Sequence, residues 1–365
     1  MSALNAGRVK LALGLLSLLT PSFVCAGEEY SFLELAALRG GSSVARGLNY
    51  RGQVVGSSGF PQGDAARAFV WSKSAKMQSL GTLSGGDRSE AFGINRKSWV
   101  VGTSNTATSV RAFLWTPRRG MQDIGTLPGD SSSQAFAVNN AGQVVGSSSG
   151  HRGVRAFVWT KAGGMRDLGV LPGGHFSEAL AINDLGQVAG RSDSSSGAHG
   201  FLWTENGGMQ DLGTLPGDRR SQALAINNRG QIVGSSAGPD RARAFLWTKS
   251  SGIQDLGCLA ANVYCEALSI NDSGKIVGVS GNTVETRAVL WTPGKGIKDL
   301  NSLLPPASEF ILSTAVAVND RGQVAAFGSE PRPGSVKGHH HWVPDHVFLL
   351  SPSSQLSKRA SADNR

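Results

Sequence analysis

Apolar and polar residues change places along this chain in short runs. Residues 133–138 (Ser-Gln-Ala-Phe-Ala-Val) alternate, Gln143–Gly146 is a brief β-branched run, Arg155–Trp159 is apolar and aromatic, and Met165–Leu171 alternates again. Each run carries the period of a strand. The connections Asn139-Asn140-Ala141-Gly142 and Lys161-Ala162-Gly163-Gly164 are tight and glycine-bearing, of the kind that joins antiparallel neighbours. Together they predict a four-stranded meander. Beyond residue 26 nothing sustains a helical period, and 49 glycines would weigh heavily on helices.

The meander recurs. Trp71, Trp115, Trp159, Trp203, Trp247 and Trp291 stand 44 residues apart, a period that marks repeat architectures. Four strands in such a length fit a propeller blade better than a solenoid coil, which is shorter and carries fewer strands. The asparagine ending the first strand counts the units at Asn49, Asn95, Asn139, Asn183, Asn227, Asn271 and Asn319. The last unit stops at residues 346–350 (His-Val-Phe-Leu-Leu), without a fourth strand. Residues 32–38 (Phe-Leu-Glu-Leu-Ala-Ala-Leu), followed by Gly40-Gly41, match the fourth strand Met77–Leu83, followed by Gly85-Gly86. The expected fold is therefore all-β: a seven-bladed β-propeller over residues 27–351, its ring closed by the N-terminal strand completing the last blade.

Asp211–Gly217, Ala225–Asn228, Gly230–Gly234 and Ala244–Thr248 resemble the repeats of the HAF family of bacterial extracellular proteins, over about residues 31–350. The resemblance implies export and a repeat fold, and it carries no catalytic residues. Leu350 in place of a seventh tryptophan, Ala260-Ala261 in place of Pro-Gly, and an enlarged last unit depart from the pattern.

The N-terminus supports export. Arg8 and Lys10, the apolar run Leu11–Leu19 and Val24-Cys25-Ala26 read as a signal peptide (residues 1–26) cleaved near Ala26, which would leave a secreted or periplasmic protein. That run is too short for a comfortable membrane span, and no later stretch is long and apolar enough to be one. Removing Arg8 and Lys10, with no acid among the first 26 residues, lowers the formal charge from +9 to +7. That excess favours acidic partners. Of the cysteines, Cys258 and Cys265 remain; in an exported chain they read as a disulfide rather than a metal site, with two packed thiols as the other reading. Residues 352–365 are polar and expected to be disordered.

The recurring residues are first explained by folding. Asn followed shortly by Gly is turn chemistry, the tryptophans fill the space between sheets, and Asp123, Asp167, Asp211, Asp255 and Asp299 are expected to accept hydrogen bonds between blades. No calcium loop, nucleophile elbow, P-loop or dinucleotide fingerprint is present. His339–His341, in an insertion over Ser329–Asp345 that could act as a lid, cannot all point at one ion from a strand, so no metal and no cofactor are expected.

Function is then sought where the repeat breaks. The second-to-third and inter-blade connections vary, and they emerge on one face. There the third strands open with Arg67, Arg111, Arg155, His199, Arg243 and Arg287, with His346 in the last unit; Arg88, His175, Arg219 and Arg220 lie in nearby loops, as do Arg152 and Arg241. Such a rim suits an anionic ligand, a polysaccharide or surface polymer. The same arginines could instead pair with Glu90, Glu178 and Glu266 of the first strands. The leading expectation is a monomeric exported binding protein whose partner is an anionic glycan or an envelope protein, with nucleic acid disfavoured by the compartment. The alternative is a polysaccharide lyase or hydrolase at the channel mouth, using groups such as Glu178 and His175.

Overall fold

A computed structural model describes residues 29–35, 42–59, 66–260, 263–282, 284–306, 308–330 and 346–353. The expected signal peptide, the His339–His341 insertion and the tail from 354 onward lie outside the described residues. Apart from a short 3-10 turn at Leu300–Leu303, the described elements are strands. Among the described residues no helix is long and apolar enough to cross a membrane.

The unit containing Asn139 shows how the pattern folds. Its strands are Asp130–Val138, Val144–Gly150, Gly153–Thr160 and Gly164–Asp167, paired antiparallel in chain order. The fourth is shorter than its alternation predicts, because Asp167 Oδ1 accepts the Gly169 N–H at 2.8 Å and Gly169 turns the chain at φ 85°. Leu168 keeps its N–H on the Ala156 carbonyl at 2.9 Å, and its side chain and that of Leu171 plug the core.

Five sheets have four strands. A sixth has eight, formed by two meanders joined at a single parallel bridge, Ala242 to Tyr264. The N-terminal strand Tyr30–Leu35 pairs antiparallel with His346–Pro352, Phe32 opposite Leu350, and so takes the outer place in the last meander. That strand reaches Pro352, one residue past the expected end of the repeat domain.

The cores sit between sheets. Val101, Ala112, Leu114 and Leu127 of one meander pack with Ala135, Val138, Val144 and Phe157 of the next. Trp203 packs on Val145, Val158 and Leu168 of the preceding meander, and Trp71 on Ala317, Ala325 and Leu349 of the last. The tryptophans are wedges, as expected. Trp291 also donates its indole N–H to the carbonyls of Leu256 and Gly257, both at 3.1 Å.

Buried serines stitch neighbouring meanders. Ser133 Oγ accepts the Ala112 N–H at 2.9 Å and donates to the Gly125 carbonyl at 2.6 Å; Ser89, Ser177 and Ser221 repeat both bonds. Cys265 occupies this place in the Asn271 meander. It is disulfide-bonded to Cys258, with Cα atoms 5.9 Å apart, and Cys258 stands where neighbours carry Thr82, Thr126 or Thr214. Reducing this short loop is expected to cost about 2 kcal/mol. The double variant Cys258→Thr/Cys265→Ser recreates the neighbours' residues and should recover about 1 kcal/mol through the serine bonds. Denaturant unfolding of the reduced, oxidised and double-variant proteins checks both figures.

Candidate functional site

The seven repeated asparagines end the first strands and line one common cavity. Each Oδ1 accepts the N–H groups two and four residues on, as Asn183 does from Leu185 (3.1 Å) and Gln187 (3.0 Å). That much is the turn chemistry expected of Asn before Gly. Each Nδ2 also donates to the carbonyl of the next asparagine. The chain of bonds runs Asn49 to Asn95, Asn139, Asn183, Asn227, Asn271 and Asn319, and from Asn319 back to Asn49, at 2.9–3.1 Å. It follows that a local turn cap doubles as a relay between meanders.

Below the relay a cavity of about 190 Å³ opens, lined by Tyr50, Arg96, Asn140, Asp184, Asn228, Asp272 and Asp320, the residues that follow each asparagine. Its acids are committed to the scaffold. Asp184 takes both the N–H and the side-chain amide of Asn140 (2.9 and 2.8 Å), Asp272 does the same for Asn228, and Asp320 accepts the Asp272 N–H and Arg96 Nη2. Among the described residues no three His, Cys, Asp or Glu side chains gather as a metal ion would require.

On the face of the variable loops, most of the third-strand Arg and His side chains already have a polar partner in place. Arg155 Nε lies 3.3 Å from Asp167, His199 Nδ1 2.8 Å from Asp211, and Arg243 3.0 Å from Asp255 and 2.9 Å from Asp218. Arg287 bonds Glu285 at 2.7 Å, Arg111 bonds the Ser109 hydroxyl, and His346 lies 2.5 Å from Glu34. Arg67 opens the strand Arg67–Ser72. The first-strand acids expected to pair with these arginines do otherwise. Glu178 sits directly across the ladder from Arg191 and binds it at 2.6 Å, Glu90 pairs with Arg46, and Glu266 accepts from Gln222 and Ser235. Register decides this: Phe157 opposes Asp167, which puts Arg155 on the diagonal to that aspartate. The fourth-strand aspartates thus bond within their own meander, to the N–H two residues on and, at Asp167, Asp211 and Asp255, to the third-strand Arg or His, rather than between blades. Arg88, His175, Arg219 and Arg220 are exposed and make no ion pair with a described residue.

A different departure, which the sequence reading passed over, stands on the opposite face. At the residue four after the ring asparagine the meanders carry Gln53, Gln143, Gln187, Gln231, Lys275 and Gln323, but the second has Trp99. The turn glycine before it becomes Ser98, held at φ 61°, a left-handed conformation that non-glycine residues seldom adopt. Trp99 reaches over the turn of the next meander so closely that a Cβ on Gly142 would come within 2.7 Å of its ring. Beside it a groove of about 850 Å³ runs between the meanders of Asn95 and Asn139, flanked by Trp99 and Trp159.

The equivalent groove one meander further on is smaller, about 440 Å³, and Arg166 and Glu205 close it with a bidentate pair at 2.7 and 2.5 Å. The Arg166 guanidinium lies 5.1 Å over the Trp203 ring. Its hydrogen bonds hold the Glu205 carboxyl below the usual carboxylate range. The signal for this contrast was present in the sequence, since Gln122 and Lys161 stand where the next repeat has Arg166 and Glu205.

No protein-family model and no curated protein sequence matches the chain. Comparison with solved structures defines the class: the fold is that of a β-propeller. A streptogramin B lyase aligns with a TM-score of 0.55 at 12% identity over 89% of this chain and 98% of that one. The β-propeller domain of the Trilobed protease from Pyrococcus furiosus gives 0.55 at 8% over 85% and 93%. YCF48 bound to D1 peptide gives 0.54 at 9% over 90% and 96%. Identities this low speak for the fold alone.

Proposed function

We propose that this chain is an exported, HAF-type propeller of seven blades, closed into a ring by its N-terminal strand, that binds an anionic polymer. Closure is supported by the pairing of Tyr30–Leu35 with His346–Pro352, by the core that Trp71 shares with the last meander, and by the bond from Asn319 to Asn49. One observation carries the binding reading. The aspartates and glutamates are largely tied to backbone N–H groups and to cations within or between meanders, whereas Arg88, Arg118, Arg119, Arg219 and Arg220 are exposed with no ion-pair partner among the described residues. With the signal peptide removed the chain keeps a formal charge of +7, and these exposed arginines present part of it to solvent. A polyanion bound to such a surface gains Coulomb energy that salt screens. The lyase or hydrolase alternative draws little from Glu178, whose carboxylate is held by Arg191.

Mature protein is expected to bind acidic polysaccharides at low salt and to lose affinity at least tenfold as salt rises from about 50 to 500 mM, in line with the fall of the Debye length. An array of neutral, carboxylated, sulfated and phosphorylated polymers, read at several ionic strengths, checks this. Absence of salt-sensitive binding to every polyanion would remove the proposal.

A further inference from the structure

We propose that the groove between Trp99 and Trp159 is a binding site for a carboxylate-bearing oligosaccharide. The inference rests on the anionic-ligand reading above and assigns it a place, on the face away from the variable loops.

The groove combines shape, aromatic surface and charge that the other meanders do not. Its volume of about 850 Å³ lies in the range of small-molecule sites. Trp99 and Trp159 are both half-buried, so each presents part of an indole. An indole offers a flat, rigid apolar plate at little conformational cost, and the C–H face of a pyranose ring is the complementary surface. Lys97, Arg118, Arg119 and Lys161 line the groove against one carboxylate, Asp123. Asp123 also serves the scaffold, accepting the Gly125 N–H at 2.7 Å. None of the four cations makes an ion pair with a described residue; Lys97 instead rides 5.4 Å over the Trp99 ring. Arg118 and Arg119 carry the planar donor fork that matches a carboxylate bidentately. A ligand with alternating sugar faces and carboxylates would meet both features at once.

Folding alone explains these residues poorly. Glutamine at the position of Trp99 satisfies its neighbours elsewhere, as Gln143 and Gln187 do by bonding Asn139 and Asn183 at 2.7 Å. In the second meander that bond is given up, and a serine takes a backbone conformation suited to glycine. The neighbouring groove shows what closure looks like when the same sites hold an opposite-charge pair, Arg166 with Glu205. Here the pair is replaced by Gln122 and Lys161, and the groove stays open.

The repeat supplies variants designed by its own neighbours. Trp99→Gln installs the residue of the adjoining meanders, and Gln122→Arg/Lys161→Glu rebuilds the Arg166–Glu205 closure. Titration with uronate oligosaccharides, followed by tryptophan fluorescence and calorimetry, should show wild type binding with a change in indole emission. Each variant should lose at least tenfold in affinity with its melting temperature unchanged or raised, while Lys249→Ala, at the place of Lys161 two repeats further on, should bind as wild type. Wild-type affinity in the closure variant, or loss in an Arg219→Ala/Arg220→Ala variant with none in the groove variants, overturns the groove while leaving polyanion binding intact. So does binding restricted to sulfated or phosphorylated polymers. If wild type binds no polyanion of any kind, this inference and the reading beneath it fail together.

Discussion

Gly146→Ala is expected to destabilise the protein by about 3 kcal/mol or more, beyond the range of an ordinary surface change. Gly146 follows the β-branched pair Val144-Val145 on a second strand and faces the first strand across the ladder at Ala135. A Cβ there would lie 1.9 Å from the Gln134 carbonyl oxygen. The obstacle is backbone, which cannot turn aside as a long side chain can. A Cβ on Gly56, Gly102, Gly190, Gly234 or Gly278 would come equally close to a first-strand carbonyl oxygen, at 1.8–2.0 Å. The last meander is the informative exception, because it carries Ala326 at this place. Its ladder has an additional register shift between Leu312 and Thr314, immediately before Ala315 meets Ala326, and that irregularity makes room for the methyl group. Ala326→Gly should accordingly cost only about 1 kcal/mol, the usual weakness of glycine in a strand. Denaturant midpoints for the two variants decide the matter; a Gly146→Ala protein within about 0.5 kcal/mol of wild type, the span of a neutral surface change, would mean that the strand shifts as freely as in the last meander.

The strands were legible because periodicity and turn residues are local signals, and the repeat averaged them over several copies. Even the pairing of the N-terminal strand with His346–Pro352 could be read, from the match of residues 32–38 to Met77–Leu83. Side-chain partners were a different matter. That Arg155 and Arg243 would choose Asp167 and Asp255 over first-strand glutamates depends on the diagonal across one ladder, and register to that accuracy is not written in composition. One class of signal was present and unread: exchange between repeats. Where an inter-blade connection has Gly86 or Gly174, the facing hairpin supplies Asn105 or Asp193, whose Oδ1 accepts two N–H groups at 2.6–2.9 Å. Where the connection has Asp130 or Asp218, the hairpin has Gly150 or Gly238 packed against that carboxylate. One polar side chain fills the space in each case, delivered from one strand or the other. Trp99 belongs to the same class, the one aromatic residue in a column of five glutamines and Lys275. Reading for what recurs hides such residues, and reading for what is exchanged recovers them.

Asn183→Ala is expected to cost about 4 kcal/mol, because it removes four hydrogen bonds from a side chain only 4% exposed and strands buried partners. Asn183→Asp separates the two duties of that side chain. Oδ1 still accepts from Leu185 and Gln187, so the turn cap survives. The other oxygen now faces the two acceptors that Nδ2 serves in the native protein, the Asn227 carbonyl at 3.0 Å and Gln187 Oε1 at 2.7 Å, and as a carboxylate it can only repel that carbonyl. Protonated, it donates and restores the relay. The folded protein therefore favours the acid form, raising that carboxyl above its unfolded value of about 4. The sign follows: the rescue is complete below the unfolded value and is lost as pH rises through the raised, folded one. Unfolding measured from about pH 4 to pH 8 should show the aspartate variant approaching wild type in acid and weakening by about 2 kcal/mol toward neutrality. If it matches wild type at pH 8, the asparagines are local turn caps and nothing more. If it weakens as expected, the bond from each asparagine to the next contributes in its own right. The single residue type that counts the repeats then also couples each one to the next.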